Sequence, residues 1–256
     1  MFALTRSGTG PAIVFVHGFC QSSAYWAPTL DRVAGQGVRG YAVDLPGFGA
    51  SAGQGGPYTM ARLADALALQ LDAWGQDRIV LAGGSMGGVV AQHFALRHPQ
   101  RVERLLLVAT GGYTANAAFA LEKADALRVA AWNEDTIAPV VDGFFFQRPA
   151  AGKIAEYRKI AMSASQMAAA EAARSNAANR SFDELASIRV PTMIIQGRHD
   201  RARTPEHGAE MRERIAGSVL EVIEDAGHTP QLEQPQAFYA VALPFLLHPA
   251  VPAVAR

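Results

Sequence analysis

Residues 77–95 read Asp77-Arg-Ile-Val-Leu-Ala-Gly-Gly-Ser-Met-Gly-Gly-Val-Val-Ala-Gln-His-Phe-Ala95. The apolar run Ile79-Val80-Leu81 predicts a buried strand. Gly83-Gly84-Ser85-Met86-Gly87 follows. Val89, Val90 and Phe94 then mark one face of a helix reaching about His98, where Pro99 stops it. A serine held between glycines, where a strand turns sharply into a helix, is strained and projects its hydroxyl outward. Side chains on the flanking positions would clash. The helix behind it offers free N–H groups and its positive dipole end to an oxyanion formed nearby. Alone, Gly-x-Ser-x-Gly does not separate a nucleophile from an ordinary turn, because glycine favours such turns anyway. The rest of the chain has to decide.

Upstream, Pro11-Ala-Ile-Val-Phe-Val16 is a continuous apolar run, the pattern of a strand buried on both faces of a parallel sheet. It ends in His17-Gly18-Phe19-Cys20, and a helix carrying Trp26, Leu30 and Val33 follows. Val38–Val43 predicts the next strand, leading into the turn-rich Asp44-Leu-Pro-Gly-Phe-Gly49. Thr59 is placed to cap a helix with Leu63, Leu67, Leu71 and Trp74 on one stripe. Downstream, Arg104–Ala109 predicts another buried strand. Strand and helix alternate, which gives an α/β sheet with helices on both faces. From Gly111 to Ser187 the alternation breaks. Helical patterns cover Ala117–Trp132, Ile154–Met162 and Ala164–Ala178, too apolar for a linker. The reading is a core of residues 1–110 and 188–256 with a helical cap over 111–187. Alternation resumes with Pro191–Gln196, a helix over Pro205–Ile215, the strand Val219–Ile223 and a last helix from Pro235.

Three polar residues fall just past strand ends: Ser85, Asp200 and His228. Ligands of open α/β sheets bind beyond the carboxyl ends of the strands, so the three can meet on one edge. Nucleophilic acyl transfer needs these types. A hydroxyl attacks once a base takes its proton, imidazole is such a base near neutral pH, and a carboxylate fixes the imidazole tautomer. The order Ser, Asp, His suits this fold.

The sequence resembles the α/β-hydrolase superfamily over nearly its whole length. The matching pieces are His17-Gly18, Asp44–Gly49, Gly83–Gly87, Gly197-Arg-His-Asp200 and Gly227-His228 with Glu233 and Pro235. The resemblance implies the α/β-hydrolase fold, Ser85 as nucleophile, Asp200 as acid, His228 as base and no cofactor. It implies an oxyanion hole from the backbone N–H groups of Phe19 and Met86, and a helical cap where the insertion lies. The nearest likeness is to small esterases, enol-lactonases, cofactor-free perhydrolases and carbon–carbon bond hydrolases. The serine differs from the aspartate of haloalkane dehalogenases and epoxide hydrolases, which sets those activities aside. The expected activity is hydrolysis of a small-molecule carboxylic ester or lactone. Alternatives are carbon–carbon bond, thioester or peracid chemistry on the same triad, or a ligand-binding or lyase member with little turnover.

The other candidates divide less sharply. Trp26, Trp132, Phe144 and Phe145 are expected to line the substrate pocket, with packing inside the insertion as the competing reading for the last three. Asp225, close before His228, competes with Asp200 as the orienting acid. His17 reads as a loop brace, Asp44 as a brace of its turn, Cys20 as a small buried hydrophobe. His199 reads as structural, and His93, His98, His207 and His248 need no role. Arg198, Arg201 and Arg203 read as solvated charges, with a substrate carboxylate as the alternative.

Composition narrows the setting. The 256 residues are half hydrophobic with zero formal net charge, enough for one large domain. There is no basic footprint for nucleic acid and no apolar run approaching the roughly 20 residues of a membrane span. A single cysteine leaves no internal disulfide and no cysteine-based zinc cluster, and no metal site is expected. No signal peptide is recognisable at the start. The expectation is a cytoplasmic monomer or homodimer.

Overall fold

The computed structural model describes residues 1–247; His248 lies outside them. Seven strands form one sheet: β1 (Phe2–Arg6), β2 (Ala12–Val16), β3 (Arg39–Asp44), β4 (Ile79–Gly84), β5 (Val102–Val108), β6 (Thr192–Gly197) and β7 (Val219–Ile223). Their spatial order is β1-β3-β2-β4-β5-β6-β7. Every pairing is parallel except β1 with β3. From β2 the chain crosses to β3 on one side, and from β4 it crosses to β5 on the other. The β2–β4 junction is therefore the point where strand order reverses, and its carboxyl end is the natural crevice of such a sheet. The loop Gly18–Phe19 and Ser85 both start there.

The period-two alternation of a strand sends successive residues to opposite faces. In β2, Val14 and Val16 join one core cluster while Ile13 and Phe15 join the other. Both faces are covered, which is why β2, the first half of β4 and Leu105–Val108 of β5 read as unbroken apolar runs. On one face lie α2 (Met60–Ala73), α3 (Met86–Arg97) and α8 (Pro205–Arg214); on the other lie α1 (Ala27–Ala34) and α10 (Pro235–Leu247). The Thr59 hydroxyl accepts the Arg62 N–H at 3.3 Å and so caps α2. Leu63, Leu67 and Leu71 of α2 are buried, each contributing about 1.5–3 kcal/mol.

Between β5 and β6 there is no strand, only α4 (Ala117–Leu127), α5 (Glu134–Asp142), α6 (Ala151–Met162), α7 (Gln166–Ala177) and a 3₁₀ segment at Ser181–Ser187. The sequence predicts one helix over Ala117–Trp132, but α4 stops at Leu127. There the Gln166 side-chain amide takes the freed carbonyls of Leu127 and Ala130, at 2.8 and 2.7 Å. Asn133 then starts α5 by accepting the Thr136 N–H at 3.1 Å. The helical segment is tied to the core at both ends of the strand edge. Ser165 N–H donates to Gly47 O (2.8 Å) and Met60 N–H to Ser175 Oγ (3.0 Å) on one side. His228 N–H donates to Phe144 O (2.9 Å) on the other. No helix is long and apolar enough to cross a membrane among the described residues.

Candidate active site

Ser85 sits between β4 and α3 at φ +52°, ψ −119°, a conformation costing a side-chain-bearing residue on the order of 1–3 kcal/mol. Its surroundings hold it there. Ser85 N–H donates to Val108 O at 2.8 Å, and Thr110 Oγ1 donates to Ser85 O at 2.7 Å. The first turn of α3 runs hard against β2: a Cβ on Gly87 would collide with the carbonyls of Val16 and His17. That close approach is why glycine follows the serine two residues on.

The imidazole of His228 joins Ser85 to Asp200. Its Nε2 is 2.7 Å from Ser85 Oγ and its Nδ1 2.6 Å from Asp200 Oδ2. The other Asp200 oxygen accepts the N–H groups of Ala202 and Arg203 at 2.8 and 2.9 Å. Burial pushes the Asp200 carboxyl up, but the His228 partner and these two N–H donors outweigh it and hold it below the ordinary carboxylate range. An ionised Asp200 accepts the Nδ1 proton and leaves Nε2 free to accept from the serine. Asp225, the competing acid in the sequence, is exposed and lies apart from this chain of bonds.

The loop after β2 approaches from the other side. A Cβ on Gly18 would lie 3.0 Å from Ser85 Cβ, so only glycine lets this loop close on the serine. His17 is fully buried; its Nδ1 bonds Gly18 O at 2.7 Å and its Nε2 accepts Leu45 N–H at 3.0 Å. Burial depresses its pKa, so the ring is neutral and acts as the expected brace. Asp44 accepts from Ser23 N–H (2.6 Å) and Ala50 N–H (2.8 Å) and fixes the neighbouring loop. Phe19 N–H and Met86 N–H, the latter at the first position of α3, have no protein acceptor among the described residues.

Two further residues shape the site: Gln21, which the sequence does not single out, and Glu233, which enters there only as part of the resemblance, with no role. Gln21 Oε1 accepts Gly18 N–H at 2.8 Å and so sets the loop geometry beside Ser85. Glu233 grips the His228 loop. One of its oxygens takes Gly227 N–H, Thr229 N–H and Thr229 Oγ1; the other takes Phe146 N–H and Gln147 N–H. The spacing of Glu233 from His228 was the visible signal for it. Nothing in the sequence marks Gln21.

The aromatic candidates scatter. Phe144 stacks on His228 with ring centroids 5.7 Å apart. Phe145 stacks instead on Tyr157 at 5.4 Å. Trp132 donates its indole N–H to Met162 O at 3.2 Å, tying the α4–α5 loop to the end of α6. Trp26 lies in the core and not at the pocket the sequence suggests: it is 1 % exposed, packs on Phe15 and Phe238 on the α1/α10 face, and donates its indole N–H to Val16 O at 3.1 Å. The four-and-three spacing that suggested its helix does not tell which side of the sheet that helix covers. Of the acid-loop arginines, Arg198 pairs with Glu224 at 2.7 Å. Arg203 bonds Tyr113 O at 3.3 Å and Thr114 Oγ1 at 3.4 Å. Arg201 is exposed. Among the described residues no cluster of three or more His, Cys, Asp or Glu side chains could hold a metal ion.

A serine, a histidine and an aspartate hydrogen-bonded in series at a nucleophile-type turn now stand beside a sequence match. The family model for the alpha/beta hydrolase fold covers residues 11–235. The chain is an α/β hydrolase. It is 31 % identical over 259 residues to a 2-hydroxy-6-oxo-2,4-heptadienoate hydrolase of Pseudomonas putida, covering 93 % of this chain and 90 % of the relative. A thermophilic esterase from Thermogutta terrifontis, solved with malate bound, superposes with a TM-score of 0.87 at 30 % identity, over 96 % of this chain and 92 % of that one. The enol-lactonase of Burkholderia xenovorans gives 0.85 at 25 % identity, over 96 % of each chain. Hydrolases and esterases thus surround this α/β hydrolase in both sequence and structure.

Proposed function

We propose that this α/β hydrolase cleaves a small carboxylic ester or lactone through an acyl-enzyme on Ser85. The observation that carries the reading is the serine–histidine–aspartate series, 2.7 and 2.6 Å long. His228 takes the Ser85 proton as the hydroxyl attacks the carbonyl carbon. Asp200 holds the imidazole in the right tautomer and stabilises the imidazolium. The oxyanion is received by the Phe19 and Met86 N–H groups, each such donor being worth roughly 2.7–4 kcal/mol. His228 then protonates the leaving alkoxide, and water activated by the same ring releases the acid.

Residues 111–187 act as a cap in this reading. Their Phe144 ring lies against His228, so the segment bounds the space in which the substrate binds. Cleavage of a carbon–carbon bond beside a carbonyl is the second reading, drawn from the identity to the Pseudomonas putida enzyme. The acid-loop arginines weigh against an acidic substrate held by that loop, since Arg198 and Arg203 are already engaged. A single buried cysteine fits a reducing, cytoplasmic setting. The experiment is turnover of a panel of aryl esters and lactones by the wild type and by Ser85→Ala. A loss on the order of 10⁴–10⁶ in kcat is expected. Near-normal hydrolysis by the variant would refute the mechanism.

A further inference from the structure

At the junction of the helical segment and the core lies a groove of about 460 Å³ that is distinct from the Ser85 site. Its walls come from the Phe145–Pro149 loop, α6 and the short helix α9 (Pro230–Glu233) that follows His228. Phe145 and Leu232 give it an apolar floor. Gln231 also lines it, although that residue is only 4 % exposed. The Gln231 Oε1 is buried and has no hydrogen-bond partner among the described residues. An amide left in this state is destabilising, and a bound polar group would relieve it. Turning the amide over presents its N–H₂ at the same place, so the position can serve an acceptor as well as a donor.

Three charged residues line the groove, Arg148, Lys153 and Glu233; Arg148 is the least engaged of them. Among the described residues its one carboxylate contact is Asp142 at 3.4 Å, and Asp142 is already held by Arg158 at 2.7 Å. Most of the Arg148 donors are therefore free. The acids nearby are occupied: Glu156 by Lys153 at 2.9 Å, and Glu233 by the five donors of the His228 loop. A guanidinium with spare N–H groups, a buried unpartnered amide and an apolar floor together describe a receptor for an amphipathic carboxylate.

We infer that this groove binds a small carboxylate with an apolar body, an aryl ring or a chain of roughly six to eight carbons. The carboxylate lies between Arg148 and the Gln231 amide, and the body lies on Phe145 and Leu232. Two sources share this chemistry: a free carboxylic acid, and the far end of a substrate that carries a second carboxyl group.

Octanoate is the probe, titrated calorimetrically into wild-type protein and into Arg148→Ser, with octylamine and octanol as controls. Saturable binding of octanoate alone is expected, weakened about tenfold in Arg148→Ser. Arg148 is exposed and outside the reacting groups, so hydrolysis of 4-nitrophenyl acetate by that variant should equal wild type. Gln231→Leu gives the second reading, with its melting temperature measured alongside. No saturation by about 10 mM, or affinity unchanged in both variants, would overturn the inference. The source is read by comparing KM for a monoester of a dicarboxylic acid with KM for its uncharged analogue. A rise in Arg148→Ser confined to the acidic ester marks the substrate's far end, and no change marks the free acid. The groove bears on the proposed activity only through the two hydrolysis readouts; the calorimetric titration does not depend on Ser85, so a failed nucleophile assignment would leave it standing.

Discussion

Glu233→Gln removes one atom's worth of charge and almost no volume, yet it should loosen the loop that carries His228. The native carboxylate takes five donors, three on one oxygen and two on the other. A glutamine keeps one oxygen. If that oxygen stays with Gly227 and Thr229, an N–H₂ group is turned against the Phe146 and Gln147 N–H donors. The Phe146 bond, 2.7 Å long, is the shortest of the set and is lost. A hydrogen bond to a charged group is worth about 1.5–3 kcal/mol, and partial exposure here trims the sum of the effects to about 2 kcal/mol. For a chain of this size that lowers the melting temperature by about 4–8 °C. Misplacing His228 by a fraction of an ångström should also cost about tenfold in kcat with little change in KM. Thermal unfolding by circular dichroism and steady-state hydrolysis of 4-nitrophenyl acetate measure the two effects. A melting temperature within about 1 °C of wild type and kcat within about twofold would refute the reasoning.

Asp200→Asn should fold normally but lose about 10³–10⁴ in kcat, because the amide no longer fixes the His228 tautomer; a drop under about tenfold would count against that role. Trp26→Ala should cost about 3–5 kcal/mol as a core truncation, leaving KM across acyl chain lengths unchanged for the folded protein. A chain-length-dependent KM would return Trp26 to the pocket. Stability should fall on acidification for two reasons. The folded pKa of Asp200 lies below its ordinary 3.8, so its contribution is present above that value and lost as pH drops through the folded pKa. The folded pKa of His17 lies below its ordinary 6.5, so the unfolded chain takes up the proton first and stability declines as pH falls below 6.5. Melting temperatures from about pH 8 to about pH 4 should show the decline beginning near the His17 value, and His17→Asn should flatten that part of the curve. An unchanged slope in the variant would contradict the assignment.

The sheet and the Ser85, Asp200 and His228 positions were legible because each rests on a local pattern. Apolar runs mark strands buried on both faces, and a polar residue just past a run marks the edge where ligands bind. The antiparallel β1 was not legible: Phe2–Arg6 is short, half-exposed and pairs only with β3 at the sheet margin. Helix α5 was hidden by Pro139 within it and by only two buried positions, Ile137 and Val141. Trp26 shows a different limit. Helical periodicity fixes which residues share a stripe, whereas the side of the sheet that the stripe covers depends on the crossover of the chain. The spacing of Glu233 from His228 marked the residue but not its five bonds, because two come from backbone and one from the Thr229 hydroxyl near it, and two from a loop of the helical segment.

The central claim is that Ser85 is the group that attacks the carbonyl. Treatment with a 4-nitrophenyl alkylphosphonate, followed by peptide mass mapping, tests it most directly. One phosphonyl adduct per chain on the peptide carrying Ser85, with activity lost in proportion and no adduct in Ser85→Ala, is the expected result. Full loss of activity with the adduct on another residue, or undiminished hydrolysis after Ser85 is fully labelled, would contradict the account.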